Sequence, residues 1–458
     1  MRRTILHIAQ SSEAGVARVV TDLAAGQCAR GDQVIVACPI AGTLWLAAAR
    51  RGARVVRWDA VRSPGPALPR EVASVRRIVG SVRPDVVHLH SAKAGLAGRL
   101  AIRGRLPTVY QPHAWSFDAV SAAALRRATV RWERTGARWA HQVVCVSEGE
   151  RAHGAAAGIR SRYTVVRNGV DLDWLTPPQA SSRDVARRRL GVCGTGPLVV
   201  CVARLCRQKG QDVLLDAWTE VEERIPGAGL VLVGGGPDRS VLAARASSSV
   251  AFAGAVADPR DWYLAADLAV LASRWEAGMA LAPLEAMACS RPVVVTDVPG
   301  AREFLPPGHV PFAVVPLEDP SALAAAMARL LADPATGRGL GAEAEAHIRR
   351  HHDVRQVVER MYTVYDDARG VWAASVHGRC LGGEPARPSG PARPSGPARP
   401  PGSSGPLGEA ARVVRAVGRS RSVSAGRGAA VALPRTPGGW RGSRARSSAG
   451  RSRRSRWR

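Results

Sequence analysis

Up to about residue 370 the chain alternates short, continuous Val/Ile/Leu runs with stretches of helical periodicity, and that alternation admits few folds. The first series of runs reads RTILHIAQ (3–10), DQVIVACP (32–39), ARVVRW (53–58), PDVVHLH (84–90), PTVYQP (107–112), HQVVCVS (141–147) and YTVVRNG (163–169). The second reads PLVVCVAR (197–204), AGLVLVGGG (228–236), SVAFAG (249–254), DLAVLAS (267–273), RPVVVTD (291–297) and FAVVP (312–316). A strand apolar on both sides of its pleat must be covered on both faces, which is the condition of a parallel sheet between helices. Amphipathic stretches such as Val16–Arg30 and Leu68–Val82 supply the cover. Two series predict two Rossmann-like, doubly wound domains of an α/β protein. The turn-rich segment 168–196 joins them, so the first domain is expected over 1–170 and the second over 171–353. A last amphipathic helix is expected over 354–370, with apolar positions at 354, 357, 358, 361, 364 and 365.

The charge is unevenly spread. Of the formal +28, +16 falls on 371–458, which holds 18 arginines against Glu384 and Glu409, while the first 370 residues carry only +12. The repeats ARPSGPARPSGPARP and the Arg/Ser runs bury too little apolar surface to offset chain entropy, so 371–458 is expected to be disordered. A basic arm for nucleic acid is the functional reading of that tail, and a solvated tail or an unselected reading frame is the plainer one. Eight cysteines show no CxxC or His-paired metal spacing and several sit in strand-like runs, which reads as buried reduced thiols. No apolar run approaches the ~18 residues of a membrane span. The expected location is cytoplasmic, with contact at an anionic membrane open to the segment 125–142, where Arg126, Arg127, Arg131, Arg134 and Arg138 alternate with Leu125, Val130, Trp132 and Trp139. A solvated helix covering its sheet explains that segment as well.

In open α/β sheets ligands sit beyond the carboxyl ends of strands, so the residues just after each run are the candidates. Gly15, in the loop after the first run, lets backbone approach a ligand, though an ordinary turn would use it too. His88 and His90 share a strand face and invite a metal reading, but no third ligand is identifiable nearby in sequence, which favours packing or hydrogen bonding. His113 falls just past a strand and before a small residue and aromatics. Arg204 and Lys209 end a strand ahead of a helix opening near Gln211, an arrangement suited to a diphosphate. Gly235 lies within GGG at another strand end. In SRWEAGMALAPLEAMACSRPVVVTD, Pro283 predicts a helix start, which leaves Glu276 on a loop and puts Glu285 in the first helical turn. Arg274 is the only arginine close in sequence to pair with either glutamate.

Taken in order, VSEGERAHGAAAGI…VVRNGVD, VARLCRQKG, LVLVGGGP, VAFAGAV, AADLAVLAS and the two-glutamate segment resemble the retaining glycosyltransferases of family 4, with the GT-B fold, over about residues 4–368. The resemblance implies transfer of a hexosyl group from a nucleotide-diphosphate sugar, without metal or cofactor, to a saccharide, lipid-linked or small-molecule acceptor. It implies that Arg204 and Lys209 neutralise the leaving diphosphate, that Glu285 holds the ribose and that Glu276 contacts the sugar. The amides of Gly278, Met279, Ala280 and Leu281 would assist, His113 would face the donor sugar, and Gly15 and Gly235 would line the donor site. Two features depart from the family. Eight residues separate the glutamates where seven are usual, Ala277 being the extra one, and the first loop reads SEAGV without paired glycines. A non-transferring GT-B enzyme such as an epimerase, a nucleotide-sugar binder and a nucleic-acid binder are the alternatives.

Overall fold

Every apolar run becomes a strand. A computed structural model describes residues 2–175, 182–192 and 194–381. The first series forms β1 (Thr4–Ala9), β2 (Gln33–Cys38), β3 (Arg54–Arg57), β4 (Val86–His90), β5 (Thr108–Gln111), β6 (Gln142–Cys145) and β7 (Tyr163–Val165). The second forms β8 (Leu198–Val202), β9 (Gly229–Val233), β10 (Val250–Gly254), β11 (Leu268–Leu271), β12 (Val293–Thr296) and β13 (Val314–Val315). They build two sheets, β3-β2-β1-β4-β5-β6-β7 and β10-β9-β8-β11-β12-β13, parallel at every pairing. Burial explains the composition: all five residues of β4 and all four of β12 are buried. At ~1.5–3 kcal/mol for each fully buried Val or Leu, such runs are strongly held inside.

In each sheet the strand order reverses once, between β1 and β4 and between β8 and β11. The connections leave these neighbouring strands in opposite directions, and a crevice opens at their carboxyl ends. Gly15 follows β1, Arg204 follows β8 and Glu276 follows β11, so three candidate residues stand at switch points.

The chain returns to the first sheet after the second is complete. Val170 N–H donates to the His352 carbonyl (2.8 Å) and Val354 N–H to the Val170 carbonyl (3.0 Å). The helix Val354–Leu381 then lies on the first helix, Ala14–Ala29, with Val358 packed so closely on Gly26 that a Cβ there would come within 2.6 Å of its methyl. Tyr362 donates to Asp32 (2.5 Å), and Arg3–Asp366 and Arg30–Glu359 pair along the same seam. This helix runs eleven residues past the expected end at Gly370. One glycine costs a helix only ~1 kcal/mol, and the residues after it, VWAASVHG, are helix-compatible with no proline before Pro385. Of the tail expected to be disordered over 371–458, residues 371–381 are therefore helical, and 382–458, with the basic repeats, lie outside the described residues.

The segment 168–196, expected to be turn-rich, also contains a helix, Ser182–Leu190. Arg183 and Arg187 fasten it to Asp267 at 2.9 and 2.8 Å. Cys38, Cys145, Cys201, Cys206 and Cys289 are buried and Cys28 half-buried, all as free thiols. No helix among the described residues is long and apolar enough to cross a membrane.

Candidate active site

On the second-domain side, the loop after β8 carries a half-buried Arg204, which forms no ion pair among the described residues. Its backbone is fixed from both sides: Leu205 N–H donates to the Gly235 carbonyl (2.9 Å) and the Gln211 side chain donates to the Arg204 carbonyl (3.0 Å). A Cβ on Gly234 or Gly236 would strike the carbonyl of Ala203 or Leu205 at 2.0 or 2.1 Å, so these two glycines allow the loops to touch, whereas Gly235 has room for one. Lys209 bonds directly to Glu276, whose Oε1 also accepts from the Ser273 hydroxyl (2.9 Å).

Past Glu276 the backbone turns through Gly278 (φ +85), packed so that a Cβ would lie 2.2 Å from the Pro299 carbonyl. The N–H groups of Gly278, Met279, Ala280 and Leu281 donate to no acceptor among the described residues, while the carbonyls of Ala277 and Met279 are held by Ser147 (2.6 Å) and Asn168 (2.7 Å) of the first domain. Four free donors at one helix start form a seat for negative charge. The helix itself is Leu281–Ala288, starting two residues before Pro283. Pro283 remains compatible because its missing N–H falls among the first four, which have no intrahelical partner. Glu285 therefore sits beyond the first turn, and the expected dipole contribution at that position does not apply. It is buried, its Oε2 accepts from Tyr263 (2.9 Å), and burial raises its pKa against the opposing charge of Arg18 from the first helix. Arg274 pairs with neither glutamate; it is forked onto Asp212 (2.7 Å for both bonds) and bonded to Glu318.

The first-domain side is built differently. Gly15 lies inside the first helix, with open space beyond it, and the preceding Ala14 takes the positive φ (+57) that a glycine would adopt more easily. His113 and Ala114 both have positive φ, +53 and +87, a strain of order 1–3 kcal/mol each that surrounding bonds must hold. Glu150 holds it: one oxygen accepts from Ala114 N–H (2.8 Å) and the other from Val146 N–H (2.7 Å). Burial pushes its pKa up to about 7 despite those two donors. Behind His113 the side chains of His90, His88 and His7 are buried together, the last supplied by β1. The third histidine that sequence distance concealed is thus His7, the register partner of His88. Between the halves lies a cavity of about 290 Å³, lined by Trp115, Asp118, Arg126 and His153 on one side and Trp275 and Glu276 on the other. The domains also meet at Glu303, which accepts from Glu148 N–H (2.9 Å) and Gly149 N–H (2.8 Å).

A family model described as Glycosyltransferase Family 4 matches residues 14–174, and one described as Glycosyl transferases group 1 matches residues 196–333. The GDP-mannose-dependent alpha-(1-6)-phosphatidylinositol monomannoside mannosyltransferase of Mycolicibacterium smegmatis is 33% identical over 317 residues, 64% of this chain and 79% of that one. The chain belongs to glycosyltransferase family 4. It is a hexosyltransferase of GT-B architecture. The D-inositol 3-phosphate glycosyltransferase of Xylanimonas cellulosilytica is also 33% identical, over 58% of this chain and 68% of its own. Among solved structures, Anabaena HepE in complex with UDP and glucose superposes with a TM-score of 0.70 at 22% identity, covering 80% of this chain and all of that one.

Several groups around this glycosyltransferase's cleft were not singled out from the sequence. Glu150 carries a usable signal, since Ser147-x-x-Glu150 reads as a capping box and Ser147 does accept from Glu150 N–H (2.9 Å). Arg62 carries none. It stands on the loop after β3; the residue is exposed by area, but partial desolvation of its guanidinium and the nearby Arg204 charge depress its pKa. Tyr263 and Asn168, which donate to Glu285 and to the Met279 carbonyl, and Arg18, whose charge acts on Glu285, likewise carry no signal in the local sequence pattern.

Proposed function

We propose that the cleft binds a nucleoside-diphosphate hexose and transfers the hexosyl group, with retention at the anomeric carbon, to a hydroxyl of a saccharide, lipid-linked or small-molecule acceptor in glycan or cell-envelope synthesis. One observation supports this reading: Arg204, without a carboxylate partner among the described residues, follows β8, and the amides of Gly278–Leu281, without acceptors there, follow the neighbouring β11, so that both lie at one switch point; Glu285 and His113 would accept hydroxyl hydrogens. Related enzymes act on phosphatidylinositol mannoside and inositol 3-phosphate by name, and HepE is described with UDP, which supports a nucleotide-sugar donor and a polyol or lipid-linked acceptor.

In this reading Arg204, Lys209 and the amide seat stabilise the charge that grows on the departing diphosphate, more in the transition state than before it. Arg62 approaches from the opposite lobe. Glu285 takes the ribose hydroxyls, Glu276 and His113 take the sugar, and Gly15 and Gly235 border the donor. Lys209 is engaged with Glu276, so donor arrival would shift the ammonium toward phosphate and free the carboxylate for hydroxyls. No metal is invoked, because fixed cations and amides supply the neutralisation. The cavity beside Trp275 is the acceptor space. The helix Ala123–Gly136 and the turn Ala137–Trp139 after it, with Arg126, Arg127, Arg131, Arg134 and Arg138 exposed, are the candidate contact with an anionic lipid surface.

Thermal shift with UDP-, GDP- and ADP-hexoses tests the donor, in the presence and absence of EDTA. A stabilising partner whose sugar is hydrolysed or transferred, with the α configuration kept in the product spectrum, supports the proposal. No stabilisation by any nucleotide would refute it, inversion would refute retention, and abolition by EDTA would refute metal independence. Equal sedimentation with anionic and neutral vesicles would dismiss the lipid contact.

A further inference from the structure

The buried histidines form a chain with a definable direction. Neutral imidazole has one N–H and one lone pair, and a carboxamide oxygen can only accept. Gln27 Oε1 lies 2.8 Å from His7 Nε2, so the His7 proton is on Nε2 and Nδ1 is a lone pair. His7 Nδ1 then accepts the 3.0 Å bond from His90 Nε2–H. That leaves His90 Nδ1 to accept from His113 Nε2–H at 3.1 Å. On the other side of the amide, Gln27 Nε2 donates to Tyr365 Oη (3.1 Å), and Tyr365 donates to His88 Nδ1 (3.1 Å). His88 Nε2–H and Gln111 Oε1, a donor and an acceptor, remain buried at the far end without close partners, and Gln111 is near enough to oppose the fall in the His88 pKa. Along His7, His90 and His113 each ring proton then has one place.

We propose that this chain fixes the tautomer of His113, leaving its Nδ1 lone pair to the cleft, and that Gln27 and Tyr365 act as positioning residues for donor-sugar recognition. The inference rests on the reading of His113 as a donor-sugar contact. The groups stay neutral at physiological pH: burial depresses His7 to about 4 and His113 to about 3, and His88 and His90 fall well below the ordinary value. Because Tyr365 belongs to the returning helix Val354–Leu381, that helix and the cleft histidine are parts of one network.

A metal ion is the competing occupant, since His7, His88 and His90 offer nitrogens within 4.8 Å of one another. Coordination would use His7 Nδ1, His90 Nε2 and His88 Nε2. Tyr365 would then receive N–H groups from both Gln27 and His88 and have no acceptor for its own proton. The proton count favours the hydrogen-bonded chain.

The test uses full-length protein with ¹⁵N at histidine, assigned by single His→Gln variants. His7, His90 and His113 are expected as Nε2–H tautomers. Nδ1–H at His113 would mean a reversed chain, and about one equivalent of bound metal by mass spectrometry would mean coordination; either overturns the proposal. Gln27→Met is expected to mix the His113 tautomers and raise donor KM about fivefold, the effect of one neutral hydrogen bond, with kcat nearly unchanged. Gln27→Glu, which accepts from both sides, is expected to restore the tautomers of His7, His90 and His113 and the KM, while the Tyr365 proton turns from His88 to the carboxylate. Unchanged KM in Gln27→Met and Tyr365→Phe would end the positioning role even with the tautomers confirmed. Undiminished donor binding by His113→Ala would instead remove the sugar-contact reading and leave the chain standing.

Discussion

The chain has only two lysines, one in each half, and both sit against a glutamate. Lys93 lies 2.6 Å from Glu71 with both side chains 2% exposed, and the pair clamps the loop bearing Arg62: Glu71 accepts from Val61 N–H (3.0 Å) and Lys93 donates to the Ser63 carbonyl (3.2 Å). Lys209 meets Glu276 at the cleft, where the side chains keep 17% and 12% of their exposure. The same ion pair holds backbone in one half and borders the cleft in the other. The difference is access: a sealed pair can only stabilise or destabilise the fold, whereas a cleft pair can exchange partners. The halves follow the same division, with the second presenting free charge and amides and the first presenting neutral histidines and internally satisfied carboxylates.

Lys93→Ala is the strongest way to break this comparison. It leaves Glu71 buried without its cation, which costs about 3–5 kcal/mol, whereas Lys93→Met with Glu71→Leu should recover most of that loss. Urea unfolding reads both; a loss below about 1 kcal/mol in the single variant would erase the distinction between the two pairs. Next in size, Lys209→Ala and Arg204→Ala should each lower kcat/KM by about 100-fold or more while the unfolding midpoint moves far less than in Lys93→Ala. Unchanged turnover would reject the role proposed for these cations.

The second half was the more legible because its candidate groups lie near one another in sequence. Arg204 and Lys209 are five residues apart, and the two glutamates bracket one loop and one helix start. Periodicity likewise located the thirteen described strands, the central ones because they are buried on both faces and the half-exposed edge strands β3 and β10 because their runs stay apolar between turn formers. What it missed was of two kinds. Local geometry moved the helix start from Pro283 to Leu281, because proline is tolerated throughout the first turn. Distance hid the rest: His7 reaches His90 across 83 residues, Gln27 reaches Tyr365 across 338, and Ser147 reaches Ala277 across 130. No local period encodes such a meeting. Ala277, the residue that lengthens the spacing between the glutamates, is buried with its carbonyl held by Ser147, so the insertion has a defined seat.

Glu285→Ala sharpens the comparison at a smaller scale. A buried carboxylate holding a hydroxyl contributes roughly tenfold or more in affinity, so binding of UDP or GDP by calorimetry should weaken at least tenfold with a lesser change in kcat. Tyr263→Phe, which removes only the 2.9 Å donor to Glu285, should fall between that variant and the parent. Equal binding by Glu285→Ala and the parent would detach Glu285 from the nucleotide.

The smallest effect separates two kinds of histidine within the first half. His7 and His113 are held neutral by burial, but His153 lies on the cavity wall with Nε2 2.8 Å from Asp118 Oδ1, and that bond raises its pKa above 6.5. A raised folded-state value means the protonated form binds more tightly in the folded protein. Its contribution is therefore complete below the unfolded value and fades as pH rises through the folded one. The His153 side chain is 36% exposed, so solvent screening keeps the contribution below about 1 kcal/mol. Urea midpoints taken from about pH 5.5 to about pH 8.5 should show the parent losing this increment on the alkaline side, and His153→Gln should lack that component of the slope. An unchanged slope in His153→Gln would place the titration elsewhere, and the first half would then contain only neutral histidine networks on its cleft side.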